Sequence, residues 1–335
     1  MVSVETKGLF DGQFTKLWKQ IYIQFSSKPL TKDVNIADGL SEYFSALGDV
    51  LNEKFILHEK YNIKKYDKDY DEEKVVVGFS GGKDSLACVL KLLDDGYKPI
   101  LFYVDGINRS YTSELEHAKS IASELDLELY VYKIKVSGKC DFIENPTKNQ
   151  FILALMVDYG VKLNINKYAL GTVFTDKIGT ISTEYMLSDC YDLLMLTEQF
   201  YKKYIPYFEL LIPLEDETES FCVIEKFKKT RLLEECFSCM TPLRYKKNII
   251  ETNKKKYGIT LLPNRCGSCY KCCQEALILS ELGVLNYDVG FLSHCNDIVE
   301  KMQDKFDKTA NAKDEKPWIN HDVIKRYKKN KKGRK

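Results

Sequence analysis

The sequence predicts an α/β fold: a parallel sheet with helices on both faces, joined to a helical N-terminal extension and a C-terminal zinc knuckle. Three observations predict it. From Val75 onward short β-rich runs alternate with helical segments, a Gly-Gly turn separates the first such run from its helix, and Cys266, Cys269 and Cys272 recur at every third residue. Strand, helix, strand at this spacing signals βαβ units. Ligands of such sheets bind beyond the carboxyl ends of the strands.

Taken in order, residues 1–73 carry apolar and aromatic positions at roughly helical spacing over 14–26 and 38–58, which predicts a helical extension. The charged and aromatic-polar stretch from Tyr61 to Lys74 reads as a linker or a solvated helix end. The α/β domain then spans 74–235. Its predicted elements are a strand at 75–79, a helix at 86–94, a strand at 100–104, a helix at 112–125, a strand at 129–136, a helix near 150–159, a strand at 168–171 and a last strand at 207–214. A cysteine-rich region follows at 236–285, with a short helix at about 274–282. Residues 286–335 read as a charged segment with a basic tail.

Composition narrows the function classes. A chain of 335 residues with 44% hydrophobic content can bury a sizeable core. It contains no apolar run of about 18 residues, and Met1 to Lys7 lacks the pattern of a secretory signal, so the expected location is cytoplasmic with no membrane partner. Eleven cysteines are odd in number and four crowd into eight residues, which favours metal ligation over disulfides. The net charge of +1 hides an asymmetry: residues 325–335 hold eight Lys or Arg and no acid, so the rest of the chain stands at −7. Such a tail can reach phosphates or simply lie solvated.

The hexapeptide Ser80-Gly81-Gly82-Lys83-Asp84-Ser85 follows a buried-looking strand and opens a helix. Free amides at a helix N-terminus make an anion site. Gly81 and Gly82 let backbone approach phosphate oxygens, Ser80 and Ser85 add hydroxyls, and Lys83 adds positive charge. Asp84 belongs beside phosphates only if it serves a magnesium ion, which wants oxygen ligands. Because Lys83 is followed by Asp84, this is not the Walker loop.

Cys239, Cys266, Cys269 and Cys272 could surround a tetrahedral zinc at about 2.3 Å each. An iron–sulfur cluster also suits thiolates, and Cys236 or Cys273 could substitute as the fourth ligand. His58, His117, His294 and His321 show no paired spacing and read as surface or packing residues. Cys88 reads as a core residue.

The loop resembles that of the N-type ATP pyrophosphatases, the PP-loop superfamily, which implies a Rossmann-like, adenine nucleotide alpha hydrolase-like domain that cuts ATP between its α and β phosphates. Further features resemble the 7-cyano-7-deazaguanine synthases of the queuosine pathway. Asp105-Gly106-Ile107-Asn108-Arg109 and Glu114-Leu115 are similar to that family's Tyr-Gly-Gln and Glu-Leu segment, and Asn145-Pro146-Thr147-Lys148-Asn149 to its Pro-Gly-Arg-Asn. Leu170-Gly171 ends a strand where the family also has Gly. Asp189-Cys190 is similar to its Pro-Asp-Cys-Arg, with Ser188 and Tyr191 differing, and the cysteine run matches its zinc pattern. The resemblance implies catalysis by Lys83, Asp84 and Asn149. It implies nucleotide binding by the loop with Asp105 and Gly171, and substrate contacts from Asn108, Arg109, Lys148, Asp189 and Cys190.

The implied cofactors are ATP, Mg2+ and Zn2+, and the implied partners are a small-molecule carboxylate and ammonia. The reading also allows a nucleic-acid or protein substrate and a homodimer. The family's usual Lys is absent around Thr218-Glu219-Ser220, the loop between Cys239 and Cys266 is longer, and residues 1–73 are additional. The alternatives are a tRNA-thiolating relative and a non-catalytic nucleotide-binding module.

Overall fold

The computed structural model describes residues 3–6, 12–26, 32–37, 41–51, 54–107, 114–137, 147–172, 191–217, 220–236, 239, 243–262 and 265–309. In chain order the elements are β1 (Ser3–Thr6), α1 (Gln13–Ser26), β2 (Lys32–Ala37), α2 (Ser41–Leu51), β3 (Phe55–Tyr61), β4 (Lys74–Gly78), α3 (Lys83–Asp94), β5 (Lys98–Asp105), α4 (Glu114–Glu124) and β6 (Leu129–Ser137). They continue with α5 (Lys148–Lys162), β7 (Lys167–Ala169), α6 (Tyr191–Lys202), β8 (Glu209–Leu211), α7 (Ser220–Lys226), a 3-10 turn (Thr230–Glu234), α8 (Leu243–Tyr257), α9 (Tyr270–Glu281) and α10 (Val289–Thr309).

Six strands pair in the order β1-β6-β5-β4-β7-β8, parallel from β6 to β8, with β1 antiparallel on the outer edge. The chain therefore moves outward from β4 in one direction through β5 and β6, then returns to the other side of β4 for β7. That reversal makes the carboxyl end of β4 the switch point, where a parallel sheet opens a crevice for ligands. β4 is buried on both faces because helices cover both. Val75 and Val77 pack with Leu86, Val89 and Leu90 of α3, whereas Val76 packs with Phe151 and Leu155 of α5. Cys88 is a core residue of the first layer, as expected.

The N-terminal helices form where helical spacing predicts them. Phe14, Leu17, Trp18, Ile21 and Tyr22 make one apolar stripe, and Tyr22 stacks on Phe151 of α5 at 5.1 Å. The extension thus shares the hydrophobic core of the sheet's α5 face. The structure adds a parallel β2–β3 pair, which helical spacing did not predict. Val34 and Ile36 are buried while Asp33 between β2's ends is exposed, so the period there is two. The last parallel strand is shorter than expected, Glu209–Leu211. α10 lies where only a charged segment was read, because Phe291, Cys295 and Val299 recur at helical spacing and bury against α9. The basic tail at 325–335 lies outside the described residues. Among those that are described, no helix is long and apolar enough to cross a membrane.

The first turn of α1 takes its cap from a distant residue. Asp158 of α5 accepts the N–H groups of Thr15 at 2.7 Å and Phe14 at 3.4 Å, with only 3% of the residue exposed. Burial pushes its carboxyl up to about 6, against the lowering by Thr15 and Phe14. A raised carboxyl stabilises the fold below the unfolded value of about 4 and loses that contribution as pH climbs through the folded value. The expected loss between pH 4 and 7 is about 3 kcal/mol. Urea denaturation across that window should show Asp158→Asn with the flatter pH dependence; equal slopes for the two proteins would contradict it.

Candidate functional site

At the end of β4, Phe79 donates to Phe102 of β5 at 2.9 Å, and the chain then turns through Ser80, Gly81 and Gly82 into α3. Gly82 is the N-cap in an extended conformation and brings no side chain to cap the helix. The first-turn amides of Lys83, Asp84 and Ser85, like those of any helix, have no acceptor within it. Hydroxyls brace the loop from inside. Ser80 Oγ accepts from Gly82 N at 3.3 Å and Ser85 Oγ donates to Gly82 O at 3.0 Å.

Two glycines allow neighbours to close on this loop. Gly81 has φ +73°, and a Cβ there would lie 2.9 Å from the backbone nitrogen of Ala118 in α4. A Cβ on Gly171, just past β7, would lie 2.7 Å from the carbonyl of Asp84. The loop is wedged between α4 and the end of β7, so the predicted Gly171 meets the backbone of the predicted Asp84. Gly81→Ala is expected to cost about 1–3 kcal/mol through a strained backbone and to weaken ATP binding; calorimetry of unfolding and of ATP titration would check both.

Asp84 is the focus of the side-chain contacts. Lys83 Nζ donates to its Oδ1 at 2.6 Å and Ser220 Oγ, at the start of α7, donates to the same oxygen at 2.5 Å. Phe221 places its ring 5.2 Å from Lys83 Nζ. Burial opposes ionisation of Asp84, but Lys83, the Ser220 hydroxyl and Lys271 outweigh it and hold the carboxyl below the usual carboxylate range. An anionic carboxylate with about two-fifths of its side chain exposed is suited to a hard cation.

Of the other residues predicted from sequence, Asp105 ends β5 and Lys148 and Asn149 open α5. Each stands on the carboxyl edge of the parallel sheet, the edge that carries the loop. Asn108, Arg109, Asp189 and Cys190 lie outside the described residues.

The four cysteines come together. The ligand atoms of Cys239, Cys266, Cys269 and Cys272 all lie within 4.8 Å of one another, three of the residues being buried. Cys266 Sγ accepts N–H groups from Ser268 at 3.4 Å and Cys269 at 3.2 Å, and Gly267 takes φ +69° to make the bend. Four thiols without an acid or imidazole match the closed donor set of a structural zinc and also that of an iron–sulfur cluster. Cys236 and Cys273 are outside the set. Cys236 sits in the sheet core, and Cys273 is buried against α10, its thiol donating to Gly267 O at 3.6 Å.

Sequence reasoning missed the residues that join this knuckle to the loop. Arg265 and Glu275, each side chain 3% exposed, form a two-pronged pair at 2.9 and 2.8 Å. Arg265 also donates to Leu233 O at 2.8 Å and to Cys236 O, fastening the knuckle beneath the 3-10 turn. Lys271, between two of the cysteines, contributes to the field at Asp84. Ser220 stands in the segment where the resembled family carries its Lys. None of these has a local sequence signal: Ser220 is 136 residues from Asp84.

Residues 74–141 match the family model described as the queuosine biosynthesis protein QueC. The 7-cyano-7-deazaguanine synthase 1 of Desulfitobacterium hafniense (strain Y51) is 25% identical over 190 residues, covering 50% of this chain and 82% of that protein. The tRNA-specific 2-thiouridylase MnmA of Treponema denticola is 34% identical over 77 residues, 21% of either chain. Among solved structures, the U34-tRNA thiolase NcsA from Methanococcus maripaludis with its [4Fe-4S] cluster aligns at TM-score 0.36 and 19% identity, over 64% of this chain and 73% of that one. The sheet with its loop at the switch point is an α/β Rossmann-like core, and the loop with the matched segment is similar to those of the PP-loop superfamily. Within that superfamily it is similar to the 7-cyano-7-deazaguanine synthases.

Proposed function

We propose that this chain adenylates a substrate carboxylate with ATP, releases pyrophosphate, and passes the acyl adenylate to ammonia to form an amide or nitrile. The observation that carries the reading is the glycine-capped N-terminus of α3 at the switch point, with Asp84 held anionic beside Lys83. The first-turn amides and Lys83 bind the β and γ phosphates, and Asp84 holds the magnesium ion that neutralises them. A carboxylate oxygen of the substrate then attacks the α phosphorus, and the bond to the β-phosphate oxygen breaks so that pyrophosphate leaves. Ammonia attacks the acyl carbon, displacing AMP and giving the amide; a second adenylation, of the amide oxygen, leads to the nitrile.

Asn149, Asp105 and Gly171 complete the nucleotide side of this site, and Asn108, Arg109, Lys148, Asp189 and Cys190 the acceptor side. The four cysteines hold a structural zinc. The division of the chain at 73/74, 235/236 and 285/286 separates extension, catalytic domain, knuckle and C-terminal segment. A cytoplasmic enzyme, as a monomer or homodimer, fits this chemistry.

A second reading, thiolation of a tRNA, is favoured by the 34%-identical segment shared with the 2-thiouridylase. It requires a nucleic acid acceptor, and an oxygen-sensitive brown cluster in the four-cysteine set would support it. Purified metal-loaded protein given ATP, magnesium, ammonia and a panel of carboxylates, among them a deazaguanine acid, is expected to release pyrophosphate and AMP. Release of ADP and orthophosphate, or no turnover with any acceptor, would sink the adenylation reading.

A further inference from the structure

The insertion between Cys239 and Cys266 is a helix whose surface neither the phosphate loop nor the thiol set explains. α8 carries Arg244, Lys246, Lys247, Lys254, Lys255 and Lys256 against one acid, Glu251, in a protein that stands at −7 outside its tail. Its inner side is fixed. Lys246 and Asn253 are buried, and Asn253 Nδ2 donates to Cys266 O at 2.7 Å and to Ser268 Oγ at 2.9 Å. Its outer side exposes Lys247, Lys254, Lys255 and Lys256, together with Asn248 and Thr252. Tyr245, 51% exposed, adds an aromatic face at the N-terminal end.

Lys247 and Lys254 are seven residues apart, so they share one side of the helix about 10 Å from each other. At its start, Lys246 lies near enough to His117 to act on it: burial, then Arg265 and Lys246, push that imidazole below its ordinary range despite Glu235. His117 in turn precedes Ala118, the residue packed against Gly81.

We propose that the outer face of α8 binds a single-stranded segment of nucleic acid, lysines to successive phosphates and Tyr245 to the face of an unpaired base. Concentrated positive charge on an otherwise acidic body matches a polyphosphate backbone, and the exposed ring of Tyr245, on the other flank of the same exposed arc, supplies sequence-tolerant stacking to a strand that crosses the helix. The three lysines of the last turn also complement the helix dipole. That role would change stability alone, whereas phosphate binding changes the salt dependence of an affinity.

The test uses the full metal-loaded chain and labelled oligo(U) and oligo(dT) of about 12 nucleotides, with fluorescence anisotropy read from about 50 to 200 mM salt. Binding is expected to weaken steeply with salt. Lys247→Glu, Lys254→Glu and Lys255→Glu combined should weaken it at least about tenfold and reduce the slope of log K against log salt by about 2. Tyr245→Ala should weaken binding and leave that slope unchanged. Metal content and ATP-dependent pyrophosphate release, measured on the same preparations, should stay at the level of the parent, which separates this surface from the adenylation site. No binding of either oligonucleotide at low salt, or an unchanged slope in the triple variant, would overturn the proposal. So would binding of polyglutamate in preference to both, which would point to an acidic protein.

Discussion

Asp84→Ala is expected to lower ATP-dependent pyrophosphate release by roughly 10²–10³-fold, the usual effect of removing one preorganised electrostatic group from a reacting site. The physical reason is that the carboxylate is the one negative group in a loop otherwise built to attract phosphates. It stays there because Lys83 and Ser220 both donate to Oδ1. Lys83, the Ser220 hydroxyl and Lys271 hold it below the usual carboxylate range, so it is anionic at neutral pH. Asp84→Asn keeps an oxygen for Ser220 but removes the charge. If the charge serves a magnesium ion, the Asn variant should be as slow as the Ala variant, with ATP binding in the absence of magnesium little altered. Full activity in the Asn variant would mean that Asp84 only braces the loop, and the magnesium assignment would fail.

Cys269→Ser should reduce bound metal from about one ion per chain to a trace and lower the thermal midpoint on the order of 10 °C. Cys269 is both a member of the four-thiol set and the N-cap of α9, and α9 reaches the sheet core through Ile278 and Leu279. Losing the metal therefore loosens the start of α9, the turn that carries Lys271 towards Asp84, while the buried Arg265–Glu275 pair still holds its middle. Pyrophosphate release should fall with the metal for that reason, although none of these four thiols has a part in the proposed adenylation. Cys236→Ser and Cys273→Ser are the controls and should retain full metal, because neither belongs to the set. A Cys269→Ser protein with one ion per chain would place the metal elsewhere.

The elements most legible in the sequence were those whose burial pattern is local. Val75 to Val77 reads as a strand because a central parallel strand is apolar on both faces, and the loop reads as a phosphate site because its six residues are contiguous. The β2–β3 pair was hidden by polar residues alternating with Val34 and Ile36 in a short run. α10 was hidden because Asp297, Glu300 and Lys301 dilute the stripe formed by Phe291, Cys295 and Val299. The choice of Cys239 over Cys236 as the fourth thiol was open at the level of spacing, since both precede the knuckle by a similar length of chain. In the structure the Cys239 thiol joins the set, whereas Cys236 is buried in the sheet core with its carbonyl accepting from Arg265.

By itself the sequence determined the α/β class, the loop between strand and helix and the composition of the thiol knuckle, because a helix N-terminus after a strand and a two-residue thiol spacing shape their surroundings through the backbone next to them. Only the tertiary structure decided that Ser220 and Lys271 act on Asp84, that Gly81 and Gly171 let α4 and β7 close on the loop, and that α8 turns Lys247, Lys254, Lys255 and Lys256 outward. Those relations depend on distance through space between residues far apart in the chain, and charge and steric contact follow that distance rather than sequence separation.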